Sequence, residues 1–133
     1  MDISKEYINM CEKAVEIQDR VVEIGDYFNL KKIIQIVDSI SLEYLFGVTN
    51  NYLLTVCTFL PRQDQLQKMI DWKYLYSNPA EKVHRFAMVM QGAFATKDYW
   101  KQFSSIEQLW LAFAMSEKFS KQWSGNDWVI KKK

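Results

Sequence analysis

The sequence predicts an α+β fold in which an N-terminal helix and a small antiparallel β-meander precede three to four packed helices. Three observations predict it. Apolar residues recur at helical spacing near the start, short β-favouring runs fill the stretch from 20 to 60, and two capping signatures open helices in the second half. A chain of 133 residues is long enough for one domain with its own core, so we expect a single domain over 1–133.

The first helix is predicted over residues 3–18, with Asp2 as its N-terminal cap. Its packed face is defined by residues that recur every three or four positions, and these are Ile3, Tyr7, Met10, Cys11, Ala14, Val15 and Gln18. Lysine and glutamate residues occupy the opposite face. This arrangement is typical of a helix that packs one side against a core.

The stretch from 20 to 60 changes to short β-favouring runs separated by turn residues, and we expect three or four antiparallel strands there. The runs are Val21–Val22, Lys32–Val37, Ser41–Phe46 and Tyr52–Leu60. The last run is almost uninterrupted in its apolar character, which indicates a strand that is central or covered on both faces. The segment 30–37 has a second interpretation, because it can also be drawn as a short helix.

Further helices are predicted in the second half of the chain. Pro61 ends the last strand and suits the first turn of a helix over 62–71. Asn78 is a typical cap for a helix that we place at 79–94. A short helical piece is expected at 97–103.

The final helix is predicted over 104–121, because a capping box of the Ser-Ser-Ile-Glu type begins at Ser104. Its stretch Leu109–Met115 is apolar on every side, which is typical of a helix buried inside a domain or an oligomer. Trp123 and Trp128 follow as an aromatic clip. Since a small domain has few layers to enclose such a helix, we expect a homodimer with Trp123 and Trp128 at its interface. In the competing arrangement, a monomer encloses the helix by itself.

The composition narrows the classes of function. The net charge is +1, which lacks the field that binding to long nucleic acid requires. Cys11 and Cys57 form no C-x-x-C pair and His84 is the only histidine, so we expect no metal and no cofactor. Nucleophile motifs and phosphate-binding glycine loops are absent from the sequence, so we expect no enzymatic activity. No apolar run approaches a membrane span, and we expect a cytoplasmic protein.

A polar junction follows the last predicted strand, in the sequence Leu60-Pro61-Arg62-Gln63-Asp64-Gln65-Leu66-Gln67. Arg62 offers a planar fork for phosphate, and Gln63 and Gln65 offer the paired donors and acceptors that read a base edge or a ribose. Trp72 and Tyr74 follow a few residues later and suit stacking on a base. These five residues are the predicted site for a nucleotide-type ligand. In the alternative interpretation, Gln63 and Asp64 only cap the helix, and Arg62 pairs with a neighbouring acid.

Two segments of the chain carry a resemblance. They are Leu60–Met69, and Ser105–Phe119 together with the lysine and two tryptophans that follow it. Both are similar to segments of small uncharacterised proteins encoded by phages and prophages of Gram-positive bacteria. The resemblance implies no site residues. It implies a bacterial host cell as the setting, and an accessory protein that acts by occupying a component of the host.

Two hypotheses for the function follow. In the first, a non-enzymatic, phage-derived counter-defence protein sequesters a small nucleotide-type ligand. In the second, the protein is an interaction module that inhibits a bacterial defence or replication protein through an aromatic patch. A deep pocket lined by Arg62 and aromatic residues favours the first hypothesis, and a flat exposed apolar patch favours the second.

Overall fold

The computed structural model describes residues 1–18, 23–30, 33–38, 57–70, 78–91 and 98–131. A helix, a small antiparallel sheet and then several helices follow one another, so the predicted α+β class is confirmed. The predicted runs at 21–22 and 41–46, and the first part of the run at 52–60, lie outside the described residues. The elements in chain order are α1 (Lys5–Lys13), a 3-10 turn (Val15–Ile17), β1 (Tyr27–Leu30), β2 (Ile33–Ile36), β3 (Cys57–Leu60), α2 (Gln63–Met69), α3 (Pro79–Gln91), α4 (Ile106–Phe119), β4 (Lys121–Trp123) and β5 (Trp128–Ile130).

Helix α1 is shorter than predicted and begins at a different cap. The hydroxyl of Ser4 accepts a hydrogen bond at 3.2 Å from a backbone N–H of the first turn, so Ser4 is the cap. Asp2 instead accepts from the N–H of Ser4 at 2.8 Å. The helix ends where Ala14 leaves the helical region with φ −86° and ψ 68°. The predicted helix 3–18 was therefore too long at both ends, and the 3-10 turn takes part of its length.

Strands β1, β2 and β3 form an antiparallel sheet in the order β2-β1-β3. Tyr27 of β1 lies opposite Ile36 of β2 and, on its other side, opposite Leu60 of β3. The segment 33–36 is a strand, so the helical interpretation of that segment is wrong. Phe59 and Leu60 point to opposite faces of the sheet and are both fully buried, so β3 is covered on both faces as predicted. Among the described strands, the central position belongs to β1.

The outer edge of β3 is closed by the side chain of Gln18, which follows the 3-10 turn. Its Oε1 accepts from the N–H of Phe59 at 2.8 Å, and its Nε2 donates to the carbonyl of the same residue at 3.1 Å. The Nε2 also donates to the carbonyl of Cys11 at 3.0 Å. The amide thus takes the place of a neighbouring strand and fastens the sheet to α1.

The later helices have the caps that the sequence predicts, with one shift. Asn78 accepts from the N–H of Glu81 at 2.9 Å, as expected for the start of α3. For α4 the cap is Ser105 rather than Ser104, because its hydroxyl accepts from the N–H of Gln108 at 3.1 Å. The predicted capping box begins one residue too early, because Ser104 and Ser105 are both serines. With Ser105 as the cap, the third helical position belongs to Gln108.

Helix α4 is enclosed by its own chain. Every side chain from Trp110 to Ser116 is buried, as the apolar pattern predicts. Helices α1 and α2 and strand β4 pack against it, and Phe86 of α3 stacks on Trp110 with ring centroids 4.0 Å apart. Because α4 is covered by its own chain, the apolar surface of this helix does not require a second copy of the protein. The homodimer stays a prediction. Neither α4 nor any other described helix is long and apolar enough to cross a membrane.

The aromatic clip is a β-hairpin, which the sequence analysis did not predict. Trp123 of β4 lies opposite Trp128 of β5, with ring centroids 5.1 Å apart. The turn between them contains Gly125, whose φ of +102° suits a glycine. Trp128 donates from Nε1 to the carbonyl of Met10 at 2.9 Å. The two indoles are 8% and 6% exposed, so they are core residues, and an interface at them has almost no ring surface to use.

Replacing Gln18 by Glu is expected to destabilise the fold more than replacing it by Met. Glutamate keeps an acceptor for the N–H of Phe59, but it loses the donor and places a charge against two carbonyl oxygens. Methionine has a similar length and adds no repulsion. We expect Gln18→Glu to lose about 1–3 kcal/mol of unfolding free energy relative to Gln18→Met, measured by urea denaturation. Equal losses in the two variants would contradict the role of Gln18 at the edge.

Candidate functional site

The polar junction is a joint between the sheet and the helices. Arg62 lies between β3 and α2 and uses three of its five N–H groups within the chain. Its Nη1 donates to the carbonyl of Gly25 at 2.7 Å, and its Nε and Nη2 donate to the two carboxylate oxygens of Asp64 at 3.0 and 3.2 Å. The guanidinium therefore ties the turn before β1 to the first turn of α2.

Gln65 is the buried centre of this joint. Its Oε1 accepts from the N–H of Arg62 at 2.9 Å, and its Nε2 donates to Oδ1 of Asp26 at 2.6 Å. The other carboxylate oxygen of Asp26 accepts from the N–H of Glu23 at 2.8 Å. Because Gln65 and Asp26 are 7% and 0% exposed, this contact lies away from water and out of reach of a ligand.

Two of the three described members of the predicted ligand site, Arg62 and Gln65, serve this joint. Arg62 and Gln65 direct polar groups into it, and Gln63 lies half-buried on the same short helix. Trp72 and Tyr74 lie outside the described residues. The alternative interpretation, in which Arg62 pairs with a neighbouring acid, describes the observed geometry of Arg62. The capping part of that interpretation is wrong, because the side chain that caps the start of α2 is Gln65 rather than Gln63 or Asp64. Gln65 accepts from the N–H of Arg62.

A groove of about 460 Å³ lies between α2 and α3, beside the joint. Two helix faces line it, each with residues at the spacing i, i+3, i+4, which places side chains on one side of a helix. The buried Trp110 of α4 completes the lining. The lining residues are Asp64, Gln67 and Lys68 of α2, Pro79, Lys82 and Val83 of α3, and Trp110 of α4.

The groove carries charges of both signs. Lys68 is exposed and Lys82 is half-buried, so two ammonium groups border it. Hydrogen bonds from Arg62 hold the pKa of the Asp64 carboxyl below its ordinary value of 3.8. That carboxylate therefore stays ionised at neutral pH and acts only as an acceptor. With Arg62 included, the described residues at the groove carry more positive than negative charge.

The sequence predicts the position of α2, but the predicted site takes residues 62–67 as one contiguous patch. A helix turns by about 100° per residue, so neighbouring residues of such a patch lie on different faces. Gln65 therefore points into the core, while Asp64 and Lys68 point outwards. The i, i+3, i+4 spacing was a signal that could have identified this face. The position of α3 opposite it depends on tertiary packing, which the spacing does not reveal.

Other reactive side chains in the described ranges lie apart. His84 is exposed on α3. Burial raises the pKa of the thiols of Cys11 and Cys57, which keeps both protonated at neutral pH. Within the described residues, no three or more His, Cys, Asp and Glu side chains come together in a way that could hold a metal ion.

Comparisons of this chain with protein-family models, curated protein sequences and solved structures gave no match. The resemblance of Leu60–Met69 and Ser105–Phe119 to phage and prophage proteins stays a prediction. The structure gives both segments a clear physical role. The first contains the joint and one wall of the groove, and the second contains the enclosed helix.

Gln65→Ala is expected to destabilise the protein by about 1–3 kcal/mol, because it leaves the buried Asp26 carboxylate without this amide donor. Gln63→Ala is the matched control, since it removes the same side chain from a half-buried position on the same helix. We expect the control to change the unfolding free energy by less than about 0.5 kcal/mol. Urea denaturation measures both variants, and equal losses would show that the joint does not stabilise the fold.

Arg62→Gln is expected to raise the pKa of Asp64 towards 3.8, which a carbon NMR titration of the carboxyl group measures. Since the folded-state pKa is lowered, the pair stabilises the fold above the unfolded-state pKa, and this contribution is lost as the pH falls through the folded-state value. The two side chains are 34% and 55% exposed, so the pH-dependent part of the stability difference should stay under about 1 kcal/mol. An unchanged pKa in the variant would contradict the bidentate contact.

Proposed function

We propose that the protein is a non-enzymatic binding protein that holds a small anionic ligand of the nucleotide type in the groove between α2 and α3. The observation that carries the proposal is the composition of the lining. Ammonium, amide and carboxylate groups of the described lining border an apolar surface formed by Pro79 and Val83, above the buried Trp110. A ligand with a phosphate at one end and a flat ring at the other requires this combination of polar and apolar contacts.

The size of the groove supports a ligand of this kind. Its volume of about 460 Å³ falls within the range of roughly 300–1,000 Å³ that is typical of small-molecule sites. Lys68 is exposed and supplies charge and N–H donors for a phosphate, and Lys82 adds to the positive charge of the groove. Val83 is 59% exposed and offers an apolar surface on which a base can rest.

The same lining supports binding without turnover. The described residues of the lining include no histidine, cysteine, serine, threonine or tyrosine, which are the side chains that most often perform acid–base or nucleophilic catalysis. Asp64 is the one acid among these described lining residues, and the lowered pKa of that carboxyl makes it a weak base at neutral pH. The resemblance to phage proteins supports a counter-defence role in which the protein withholds a nucleotide in the cytoplasm of a bacterial host.

A second candidate function, the inhibition of a bacterial protein by direct contact, is favoured by a different surface. Val15 and Ile130 are 66% and 75% exposed. An ion pair between Glu16 and Lys121 joins the two segments that carry them, and Lys121 lies opposite Ile130 across the C-terminal hairpin. Exposed aliphatic side chains beside an ion pair form a surface that a protein partner can cover.

Thermal-shift and calorimetric titrations with nucleoside mono- and diphosphates and cyclic nucleotides test the first proposal. We expect at least one of them to raise the Tm. Lys68→Gln should weaken binding about tenfold, because it removes a charged hydrogen bond worth roughly 1.5 kcal/mol. Lys101→Gln is the control, since that lysine is exposed and does not line the groove. It should bind like the wild type.

Two results would contradict the proposal. If no nucleotide shifts the Tm at millimolar concentration, the groove is not a nucleotide site. If Lys68→Gln and Lys101→Gln bind equally well, the ligand lies elsewhere. Retention of one host protein by the wild type but not by Ile130→Glu, without any nucleotide shift, would favour the second function.

A further inference from the structure

The three-stranded sheet has two outer edges, and the described residues close only one of them. Gln18 closes the edge of β3 by bonding to both backbone groups of Phe59. Strand β2 forms the other edge, and no further described strand lies beside it. An open strand edge presents a row of backbone donors and acceptors, which another strand can pair with. We propose that β2 of a second copy of the chain pairs with this edge in the antiparallel direction, about a two-fold axis at Gln35.

The register of the sheet shows which backbone groups face the open edge. The N–H of Val37 donates at 2.9 Å to the carbonyl of Asp26, which continues the pairing of β1 with β2 by one position. Hydrogen-bonded pairs alternate with non-bonded pairs along an antiparallel ladder, so Gln35 also directs its backbone groups to β1. The N–H and C=O groups of Ile34 and Ile36 therefore point away from β1, towards the open edge.

The opposite edge of the sheet follows the same alternation. Phe28 of β1 directs its backbone groups towards Gln35 of β2, so β1 bonds to β3 through the residues on either side of Phe28. Phe59 lies opposite Phe28 and thus points its backbone groups outwards, where the amide of Gln18 binds them. A side chain closes the edge of β3, whereas the described residues leave the edge of β2 open to another strand.

The side chains of β2 do not protect this edge. Natural sheets often block an open edge with charged residues or proline. The strand Ile33–Ile36 has the sequence Ile-Ile-Gln-Ile and contains neither. Ile33 and Ile36 are 60% and 55% exposed and lie on opposite faces of the sheet, so apolar surface is available on both sides of the edge.

The edge is complementary to its own copy. With the axis at Gln35, Ile34 of one copy lies opposite Ile36 of the other, and the outward backbone groups of both residues find partners. Gln35 then faces Gln35 of the second copy, and an amide can both donate to and accept from another amide. In the sequence, Lys32 precedes the strand and Asp38 follows it closely. Antiparallel pairing therefore brings opposite charges together at each end, whereas parallel pairing would bring like charges together.

The association should be weak and independent of the groove. A single short strand gives an interface smaller than the roughly 1,200 Å² at which stable complexes begin, so we expect a dissociation constant on the order of 100 µM. No residue of β2 is among the described lining of the groove, so this proposal does not rest on the proposed function.

Analytical ultracentrifugation from about 1 µM to about 1 mM protein tests the pairing. We expect the mass to rise from the 15.8 kDa of one chain towards twice that value as the concentration increases. Gln35→Lys and Gln35→Glu should each weaken association about fivefold, because each places two like charges opposite each other at the axis. An equal mixture of the two variants should restore the dimer. Gln102→Lys is the matched control, since this glutamine is exposed and lies outside the sheet, and it should associate like the wild type.

Amide hydrogen exchange measures the same pairing at individual residues of the wild type. The amides of Ile34 and Ile36 should exchange more slowly as the protein concentration rises, because they become bonded to the second copy. The amide of Gln35 already bonds to β1, so its exchange should change little. This alternation distinguishes strand pairing from any other contact between two copies.

Four results would overturn the proposal: a mass of one chain at every concentration, a dimer that Gln35→Lys forms as readily as the wild type, a mixture of the two charged variants that does not associate, or exchange at Ile34 and Ile36 that does not depend on concentration. If these amides become protected only when another protein is added, the edge belongs to that partner and self-pairing is wrong. A Gln35→Lys variant with the Tm of the wild type in dilute solution shows that lost association does not result from unfolding. If either variant unfolds, the exchange of the wild type decides the question.

Discussion

Helix α4 is apolar on every side, and a chain of 133 residues can enclose such a helix only by placing most of its other elements around it. Helix α1 contributes Tyr7 and Met10 to this cover, α2 contributes Leu66, and the C-terminal hairpin contributes its two indoles. The contact between Trp128 and the carbonyl of Met10 ties the hairpin to α1. The aromatic residues of the described ranges serve mainly to enclose this helix.

To enclose α4, the chain must also pass from the sheet to the helices beside the core. It does so at the polar junction, where β3 ends and α2 begins. Backbone groups that leave β3 need partners away from water. The hydroxyl of Tyr7 donates to the carbonyl of Pro61 at 2.5 Å, and Gln18 pairs with both backbone groups of Phe59. At the start of α2, Gln65 and Arg62 likewise pair with backbone groups, namely the N–H of Arg62 and the carbonyl of Gly25. A cluster of polar residues in a sequence can therefore indicate a buried connection between a strand and a helix as readily as a binding site.

These two requirements explain what the sequence alone could predict. Asn78 was predicted correctly as a cap because its side chain acts within one turn of the chain. The serine cap of α4 was predicted one residue early because Ser104 and Ser105 have the same local chemistry. The strands β4 and β5 were missed because they have three residues each and are held by a tryptophan pair rather than by alternation. The role of Arg62 depends on Gly25, thirty-seven positions away, which no local pattern reveals.

The joint and the groove depend on each other because they are two faces of α2. A helix of seven residues is too short to be stable by itself, so tertiary contacts must hold α2 in place. Gln65 and Leu66 supply those contacts on the inner face, and Arg62 supplies one at its start. The outer face, with Asp64 and Lys68, is therefore presented in one fixed orientation towards α3. A rigid wall loses little conformational entropy when a ligand binds, which favours affinity. Arg62 and Gln65, which the sequence suggested as ligand-binding residues, thus fix helix α2 in place. Their neighbours Asp64 and Lys68 project from this fixed helix and line the groove, where they can contact a ligand.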